Sequence, residues 1–266
     1  MAFQYTVDNI EYEDLSSGRV LFNQRGAAAF PVRLASEIFL RCLALMDDKE
    51  RPDTYTLFDP LCGGGYLLTT LGFLHGDKIK MIYASDIDAD LVSLASKNLS
   101  LLKPEDLDDR IRQIREMLDL YGKPVHREAL ESALRLKKRL GQFQSTVSFS
   151  CFTADATAKD SFTKIDRPVD IVITDLPYGN LVQWHSSQNS GESLGNTQDM
   201  AVNALLDNLA SILDINSVVA IVSQHKLKCE HKDFERVSRF KHGKRHIAFF
   251  KKRKDIKDIF KTKNIS

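Results

Sequence analysis

Residues 56–65 read Thr56-Leu57-Phe58-Asp59-Pro60-Leu61-Cys62-Gly63-Gly64-Gly65, and this stretch decides which fold the sequence predicts. Its first four residues form a largely apolar run closed by an acid, which indicates a short strand. Leucines then recur at helical spacing after the glycines, at Leu67, Leu68, Leu71 and Leu74. A strand, a glycine turn and a helix in this order form the phosphate-binding unit of dinucleotide-binding folds.

The glycine turn departs from the dinucleotide fingerprint G-x-G-x-x-G. Leu68 stands three residues after Gly65, at the place of the third glycine. Asp59 ends the strand beside the turn, where its carboxylate would repel a pyrophosphate and attract an ammonium or sulfonium cation. We therefore expect S-adenosylmethionine, and not NAD, as the cofactor.

A second strand, residues 80–85, delivers another acid to the same edge. Asp86 follows this strand and lies 23 residues after Gly63. An acid about 20 residues after the glycine turn binds the ribose hydroxyls in dinucleotide folds, so Asp86 is a candidate for that contact. The alternative is that Asp86 caps the helix that follows.

Residues 169–175 predict a buried strand that stops in an acidic, aromatic turn, Asp175-Leu176-Pro177-Tyr178-Gly179. The strand is apolar without alternation, which suits a strand covered on both faces. Asp175 and the Leu176 carbonyl would accept the N–H groups of a planar amine, and Tyr178 would cover its ring. An ordinary strand-to-loop turn, rich in proline and glycine, is the alternative.

Two further candidates follow strands or lie in a loop. Residues 147–152 predict a strand that leads to Asp155 and Ala156, where Asp155 would accept a hydrogen bond from an adenine amino group. Trp184 lies in a polar loop, residues 180–197, and is a candidate for stacking on a base. The alternative for Trp184 is that it packs the loop against the body of the protein.

Strands and helices alternate along the chain, which predicts an α/β, mostly parallel, doubly wound sheet. A helix opens at Phe30-Pro31, and residues 1–55 form an N-terminal segment with that helix. Residues 103–142 predict a two-helix insertion that projects from the sheet, with its break at Gly122-Lys123-Pro124. We expect a domain over residues 1–250 and a basic tail over 251–266.

The composition indicates a soluble globular protein, since 43% of residues are hydrophobic and 27% are charged. Cysteines stand at Cys42, Cys62, Cys151 and Cys229 without C-x-x-C spacing, which argues against zinc and disulfides. Neither a signal peptide nor a membrane helix is evident. We expect a cytoplasmic protein with no metal and no membrane partner; the sequence does not predict its oligomeric state.

The net charge of +1 hides an asymmetry along the chain. Residues 226–266 hold 15 Lys and Arg against 5 Asp and Glu, so the rest of the chain is net acidic. Such polarised charge suggests a polyanion partner at the C-terminal end. A solvated basic tail is the alternative.

The order of these strand ends resembles the class I S-adenosylmethionine-dependent methyltransferases, whose fold is Rossmann-like. Asp175-Leu176-Pro177-Tyr178 resembles the amino-methyltransferase motif Asp/Asn/Ser-Pro-Pro-Tyr/Phe, with leucine in place of the first proline. The acidic first residue is similar to family members that methylate the exocyclic N2 of guanine. Asparagine is commoner there among members that methylate adenine N6.

The resemblance narrows to the avilamycin-resistance 23S rRNA (guanine-N2)-methyltransferases. It is carried by residues 29–35, 63–68 and 174–179, together with Trp184 and the helical insertion, and it weakens after Ile221. The departures are Leu61 and Gly64 in the glycine turn, and the basic residues after Lys251. The resemblance implies methylation of a guanine N2 in 23S rRNA, or in a ribosomal particle, with a link to antibiotic resistance.

The residues and the resemblance together assign roles along the chain. Catalytic roles fall on Asp175, Leu176, Pro177 and Tyr178, and substrate contacts on Gly179 and Trp184. Cofactor contacts fall on Phe30, Asp59, Cys62, Gly63, Gly65, Asp86, Asp155 and Ala156. The alternatives are an amino-methyltransferase acting on adenine N6 or a protein amide, and an RNA-binding protein without catalysis.

Overall fold

The computed structural model describes residues 12–16, 18–23, 30–46, 52–177 and 194–254, and for residues 194–198 the backbone alone. The predictions for Tyr178, Gly179 and Trp184, and for the tail after Lys254, lie outside the described residues. The strands are β1 (Tyr55–Asp59), β2 (Ile79–Asp86), β3 (Ser148–Thr153), β4 (Val169–Asp175), β5 (Leu213–Ser223), β6 (Phe234–His242) and β7 (Arg245–Lys252).

These strands form one seven-stranded sheet in the order β3-β2-β1-β4-β5-β7-β6. The neighbours from β3 to β5 pair in parallel, and β7 and β6 add an antiparallel edge. The predicted mostly parallel α/β sheet is therefore confirmed. The chain winds outward from β1 through β2 to β3 and then returns to the other side of β1 with β4. The topological switch point thus lies between β1 and β4.

The described residues form six α-helices: α1 (Val32–Leu45), α2 (Tyr66–His75), α3 (Ala89–Ser100), α4 (Pro104–Tyr121), α5 (Pro124–Leu140) and α6 (Leu194–Leu209). Because side chains alternate along a strand, Leu57 and Phe58 enter different hydrophobic clusters. The first core cluster joins one sheet face to α1–α5 and contains Leu57. The second core cluster joins the other face to α6 and contains Phe58.

The predicted two-helix insertion exists: α4 and α5 pack mainly on each other, and α5 also contacts residues 12–15 and α2. Pro104 and Pro124 begin α4 and α5, and Gly122 ends α4 in the left-handed region with φ 62°. Leu107 and Ile114 on α4 are fully buried in the first core cluster. The apolar stripe that identified the helices is therefore the reason that they lie against the core.

The N-terminal segment packs against this helical pair. Asp14, which is buried, accepts hydrogen bonds from Arg135 of α5 at 2.6–3.0 Å. Arg110 of α4 donates from Nε to the Val20 carbonyl at 2.9 Å, and its guanidinium covers the Phe22 ring. The two helices thus hold the start of the chain in place.

β6 was not predicted, and it pairs with β7 as a hairpin around Gly243, whose φ is 58°. A two-residue hairpin loop favours glycine at its first position, since that position takes a positive φ. β7 also extends two residues into the stretch expected to be tail. Lys252 donates to the carbonyls of Ala210 and Leu213 at 2.9 and 3.1 Å, which fixes this end against the body.

The hairpin changes where the basic charge lies. Residues 226–254 hold twelve Lys and Arg and three Asp and Glu, whereas residues 255–266 hold three basic and two acidic residues. Nearly all of the excess positive charge therefore belongs to described, folded structure. Within the part of the chain that is described, no helix has the length and apolarity that crossing a membrane takes.

Candidate active site

β1 stops two residues short of both neighbouring strands, and this leaves a notch at the switch point. Asp59 pairs with Ala84, while β2 continues to Asp86. Phe58 pairs with Val172, so β4 likewise runs two residues beyond the level of Asp59 and ends at Asp175. In open α/β sheets, ligands bind at the carboxyl ends of the strands at such a point.

Asp59, Asp86 and Asp175 lie on the same face of the sheet. Paired residues on neighbouring strands share a face, and a step of two residues keeps it. The three carboxylates therefore border the notch from its base and its two sides. The three carboxylates are close enough to interact, because the charges of Asp86 and Asp175 both raise the pKa of Asp59.

Asp59 is buried, with 3% of its surface exposed. Burial is the main cause that raises its pKa to about 7, and the hydrogen bond from the Leu61 amide, at 3.0 Å, opposes that shift. Near neutral pH this carboxyl group is therefore divided between its charged and neutral forms. A cation at the notch would favour the charged form.

The glycine turn closes the base of the notch. Its Cys62 amide donates to the Ser85 carbonyl at 2.8 Å, which ties the turn to β2. A Cβ on Gly65 would lie 2.9 Å from Ala95 of α3, and the φ of Gly65 is 72°. By contrast, a Cβ on Gly63 would meet nothing within 4 Å, although its φ is 51°. The turn thus packs closely on α3 and stays open at Gly63.

Asp86 holds the open residue of the turn in place. One of its carboxylate oxygens accepts from the Gly63 amide at 2.9 Å, and the other accepts from the Asp88 amide at 3.1 Å. The helix-cap alternative is wrong for Asp86, because Asp88 is the residue that caps α3 through the amides of Asp90 and Leu91. Each oxygen of Asp86 retains a lone pair that a ribose hydroxyl can use.

Asn98 on α3 is a site residue that the sequence did not reveal. It is 1% exposed, and its amide nitrogen donates to the Gly64 carbonyl at 2.8 Å. The same side chain bonds the Phe22 backbone twice, from Phe22 N to its oxygen at 2.8 Å and to Phe22 O at 3.0 Å. Its partners lie 34 and 76 residues away in sequence, so no local pattern could have identified it.

The leucine that departs from the amino-methyltransferase motif has a structural role. The Leu176 amide donates to the Val222 carbonyl at 2.9 Å, which extends the pairing of β4 with β5 one residue past Asp175. Proline has no N–H and cannot make this bond. The Leu176 side chain is fully buried in the second core cluster. Both features fix the peptide whose carbonyl was predicted to receive the target amine.

Asp175 and Pro177 are partly exposed, unlike Leu176 between them. The structure therefore leaves the predicted acceptor at the surface of the notch and not within the core. Its predicted catalytic role stays a prediction, as do the roles of Pro177 and of Tyr178, which is outside the described residues.

Asp155 lies beyond β3 at the far side of β2. The Ala154 amide donates to the Asp86 carbonyl at 2.9 Å, which brings this segment to the same edge of the sheet. One Asp155 oxygen accepts from the amide and the hydroxyl of Thr157, at 2.8 and 2.7 Å. Ala156 is buried, and its carbonyl accepts from Asn208 of α6 at 2.9 Å. The predicted adenine contacts of both residues remain predictions.

Phe30 and Cys62 enter the first core cluster, each 7% exposed. The Arg245 guanidinium of β7 lies 5.5 Å from the centre of the Phe30 ring. Burial raises the pKa of the Cys62 thiol well above its ordinary value, and the nearby charge of Asp59 adds to the effect. Cys62 is thus a neutral packing residue of the turn, and its predicted cofactor contact is untested.

Asp207, His231 and Asp233 form a group whose ligand atoms lie within 4.8 Å of one another. Both ring nitrogens of His231 already have protein partners. Nδ1 accepts from the Asp233 amide at 3.1 Å, and Nε2 lies 3.3 Å from an Asp207 oxygen. Hydrogen bonding accounts for this group, and the expected absence of a metal remains a prediction.

Comparison with known proteins identifies the family. The family model described as rRNA methyltransferase AviRa matches residues 1–245. The chain belongs to the AviRa family of rRNA methyltransferases. The match spans the notch, the glycine turn and the helical pair, and S-adenosylmethionine is therefore the cofactor.

Relatives from Streptomyces viridochromogenes agree with this family. The 23S rRNA (guanine(2535)-N(1))-methyltransferase is 37% identical over 227 residues, which cover 85% of this chain and 86% of the relative. A solved structure of the rRNA methyltransferase aviRa is 36% identical and superposes with a TM-score of 0.81, covering 94% of this chain and 96% of that one.

The residues of the notch fit the cofactor on structural grounds. The turn is open at Gly63, since no atom of the described residues, apart from Gly63 and its two chain neighbours, lies within 4 Å of the position that a Cβ on Gly63 would take. The carboxylates of Asp59, Asp86 and Asp175 give the notch a negative character that suits a cationic ligand. Asp86 also presents acceptor oxygens beside the opening, as a ribose requires.

Proposed function

We propose that this protein methylates a guanine of 23S rRNA at the base edge that carries N1 and N2. The observation that supports this most is Asp175 at the switch point, followed by a Leu176 peptide fixed to Val222. A carboxylate and a neighbouring carbonyl are both acceptors. Guanine presents its N1–H and its N2 amino group side by side, so that two adjacent acceptors can receive both.

The cofactor would lie over the glycine turn, with its ribose hydroxyls on Asp86 and its cationic end toward Asp59. When bound, S-adenosylmethionine supplies a methyl group on a positively charged sulfur. Asp86 keeps the Gly63 amide in place while it accepts from the ribose. Asp59 loses its proton more readily beside the positive charge, since its pKa of about 7 reflects burial without a cation.

Asp175 and the Leu176 carbonyl would orient the base for in-line attack. The bound base would present its nitrogen to the methyl group that the cofactor would supply, and the electron pair of the carbon–sulfur bond would remain on sulfur. The nitrogen gives its proton to Asp175 or to water. Positioning supplies much of the rate in such a reaction, because the sulfonium is already activated.

The sequence predicted N2 as the methylated atom, whereas the Streptomyces relative bears N1 in its name. We favour N1 for this protein on two grounds. The relative is similar across 85% of the chain, and attack by N1 requires a base for its proton, which an aspartate at position 175 can supply. N2 stays the alternative, since it lies on the same edge.

The test is a reaction of the purified protein with a 23S rRNA transcript and methyl-labelled S-adenosylmethionine. Nuclease digestion and liquid chromatography with mass spectrometry would separate N1-methylguanosine from its N2 isomer. Reverse transcription offers a second readout, because a methyl group on N1 blocks base pairing. Label in the N2 isomer would correct only the methylated atom and leave the rest of the proposal intact. Label in adenosine, or no label in RNA, would refute the proposed function.

A further inference from the structure

A basic cavity of about 300 Å³ lies at the carboxyl edge of the sheet, beside the strand that follows β4 in space. Its polar lining consists of Ser223, Lys226, Arg236, Arg239, Lys241 and His246. The remaining lining is apolar and consists of Leu227, Phe240, Ile247 and Ala248. As far as the described residues form its wall, the cavity has four Lys and Arg side chains and no carboxylate.

Within the described residues, no carboxylate neutralises these cations. Among the described residues, none of the four forms an ion pair with a carboxylate, and Arg236 donates instead to the Leu227 carbonyl at 3.0 Å. Like charges gathered in one concavity repel one another and attract anions. A basic helix or strand face usually needs no partner, but on such a face the side chains diverge into water. Here they converge on one space.

The cavity adjoins the proposed catalytic strand end. Asp175 pairs with Val222 on β5, and the next residue, Ser223, lines the cavity. Ser223 in turn pairs with His246 of β7, which also lines it. Neighbouring strands lie about 4.8 Å apart, so β7 is roughly 10 Å from β4, and β6, which carries Arg239 and Lys241, is roughly 14 Å from it. A short run of nucleotides spans this distance.

We propose that the basic cavity binds a phosphodiester group of the RNA strand, next to the nucleotide whose base reaches Asp175. That RNA is the substrate, and that its target base reaches Asp175, rests on the proposed function. Arg239 on β6 can hold two phosphate oxygens with its planar fork, and Lys241 adds a point charge on the same strand. The cavity thereby sets where the strand lies while Asp175 engages the base.

The experiment compares the double variant Arg239→Gln/Lys241→Gln with wild type. Both residues are exposed, and neither belongs to the notch. The probe is a full-length 23S rRNA transcript, and filter binding across a series of salt concentrations gives Kd and its salt dependence. Loss of two phosphate contacts should weaken binding roughly tenfold to twentyfold at 0.15 M salt, and should lower the log–log slope by about 1.5.

Lys78→Gln/Lys97→Gln is the matched control, since it removes the same charge from exposed positions in the short 3-10 turn before β2 and in the last turn of α3. It should change Kd less than twofold. Equal losses in both double variants would mean that net charge alone matters, and the cavity would then have no role as a site. An unchanged slope in Arg239→Gln/Lys241→Gln would overturn the proposal as well.

Two further measurements separate the possible outcomes. S-adenosylmethionine affinity, measured by calorimetry, should be equal in all proteins, and a loss in the cavity variant would indicate misfolding of the hairpin. Inorganic phosphate and guanosine 5′-monophosphate test a free-ligand site. Binding of either one that the cavity variant loses, with RNA affinity unchanged, would assign the cavity to a small phosphate. If wild type binds RNA through the cavity yet methylates no 23S rRNA, the proposed function is refuted while the cavity proposal stands.

Discussion

At the residue scale, Asp175 gives the sharpest test of the chemistry. Asp175→Ala should lower turnover by two or more orders of magnitude, because one hydrogen bond to a reacting group contributes about 2.7–4 kcal/mol to barrier lowering. Cofactor affinity should change little. Single-turnover methylation and calorimetry measure the two quantities. Loss of cofactor binding would place Asp175 in the cofactor pocket, and full methylation would leave it as a turn residue.

Asp175→Asn then separates the two candidate atoms. Asparagine keeps a carbonyl acceptor but cannot take up a proton near neutral pH. Methylation releases one proton from either nitrogen, but N1 gains an in-plane lone pair for attack only as its proton leaves, whereas N2 can lose its proton to water after the transfer. If N1 attacks, the Asn variant should therefore be nearly as inactive as Ala. If N2 attacks, orientation by the remaining acceptor should leave the Asn variant clearly more active than Ala.

Asp59 gives a prediction about pH. Its pKa of about 7 lies above the ordinary value of 3.8, so between these values the folded protein binds a proton that the unfolded chain does not. The free energy of unfolding therefore falls as pH rises through this window, and Asp59→Asn should remove that dependence. Urea titrations at pH 5 and pH 8 measure the difference.

Cofactor binding should show the opposite trend. A cation at the notch requires the charged form of Asp59, so affinity for S-adenosylmethionine should rise toward pH 8 and fall by as much as about tenfold per unit below pH 7. S-adenosylhomocysteine lacks the sulfonium charge and is the control. A similar pH profile for both ligands would mean that Asp59 interacts with the ammonium group, which both ligands carry. Flat profiles for both would contradict an ionic role of Asp59.

At the scale of elements, α3 connects the glycine turn to the N-terminal segment through Asn98. Asn98→Leu keeps the side-chain size but leaves the Gly64 carbonyl and the Phe22 backbone groups without their partner. We expect a loss of at least about 2 kcal/mol in the free energy of unfolding and weaker cofactor binding, since buried unpaired groups are costly. Ser93→Ala on the exposed face of α3 is the control. Stability loss with unchanged cofactor affinity would limit Asn98 to holding the N-terminal segment.

Elements with local signals were predictable, and the others were not. The break between α4 and α5 was predicted from Gly122, which ends α4 where it stands, but Pro124, expected to lie in that break, is the first residue of α5. β6 was missed because its alternating Arg and Lys side chains read as a charged tail. The carboxylates of the notch were found because each directly ends a strand, whereas Asn98 acts through contacts made only after folding.

At the scale of the whole molecule, the charge distribution reverses the expectation for the C-terminal tail. Residues 255–266 hold only one more basic than acidic residue, while residues 226–254 hold nine more. A truncation after Lys254 should therefore keep RNA affinity within about twofold and leave the salt slope nearly unchanged. Lys251 and Lys252 must stay, since both anchor β7. A large loss of RNA affinity on truncation would show that residues 255–266 contribute to RNA binding.

The contact of Asp14 with Arg135 of α5 affects the order in which the protein can fold during synthesis. Leu15, Val20 and Leu21 are among the most buried residues. The partner of the neighbouring Asp14 is Arg135, which is synthesised 121 residues later. At ordinary elongation rates that interval lasts on the order of ten seconds. During that interval, residues 12–23 can pack only on elements made earlier, such as α1, on Asn98 of α3 and on Arg110 of α4. The ion pair of Asp14 with Arg135 is therefore one of the last contacts of this segment that can form during synthesis.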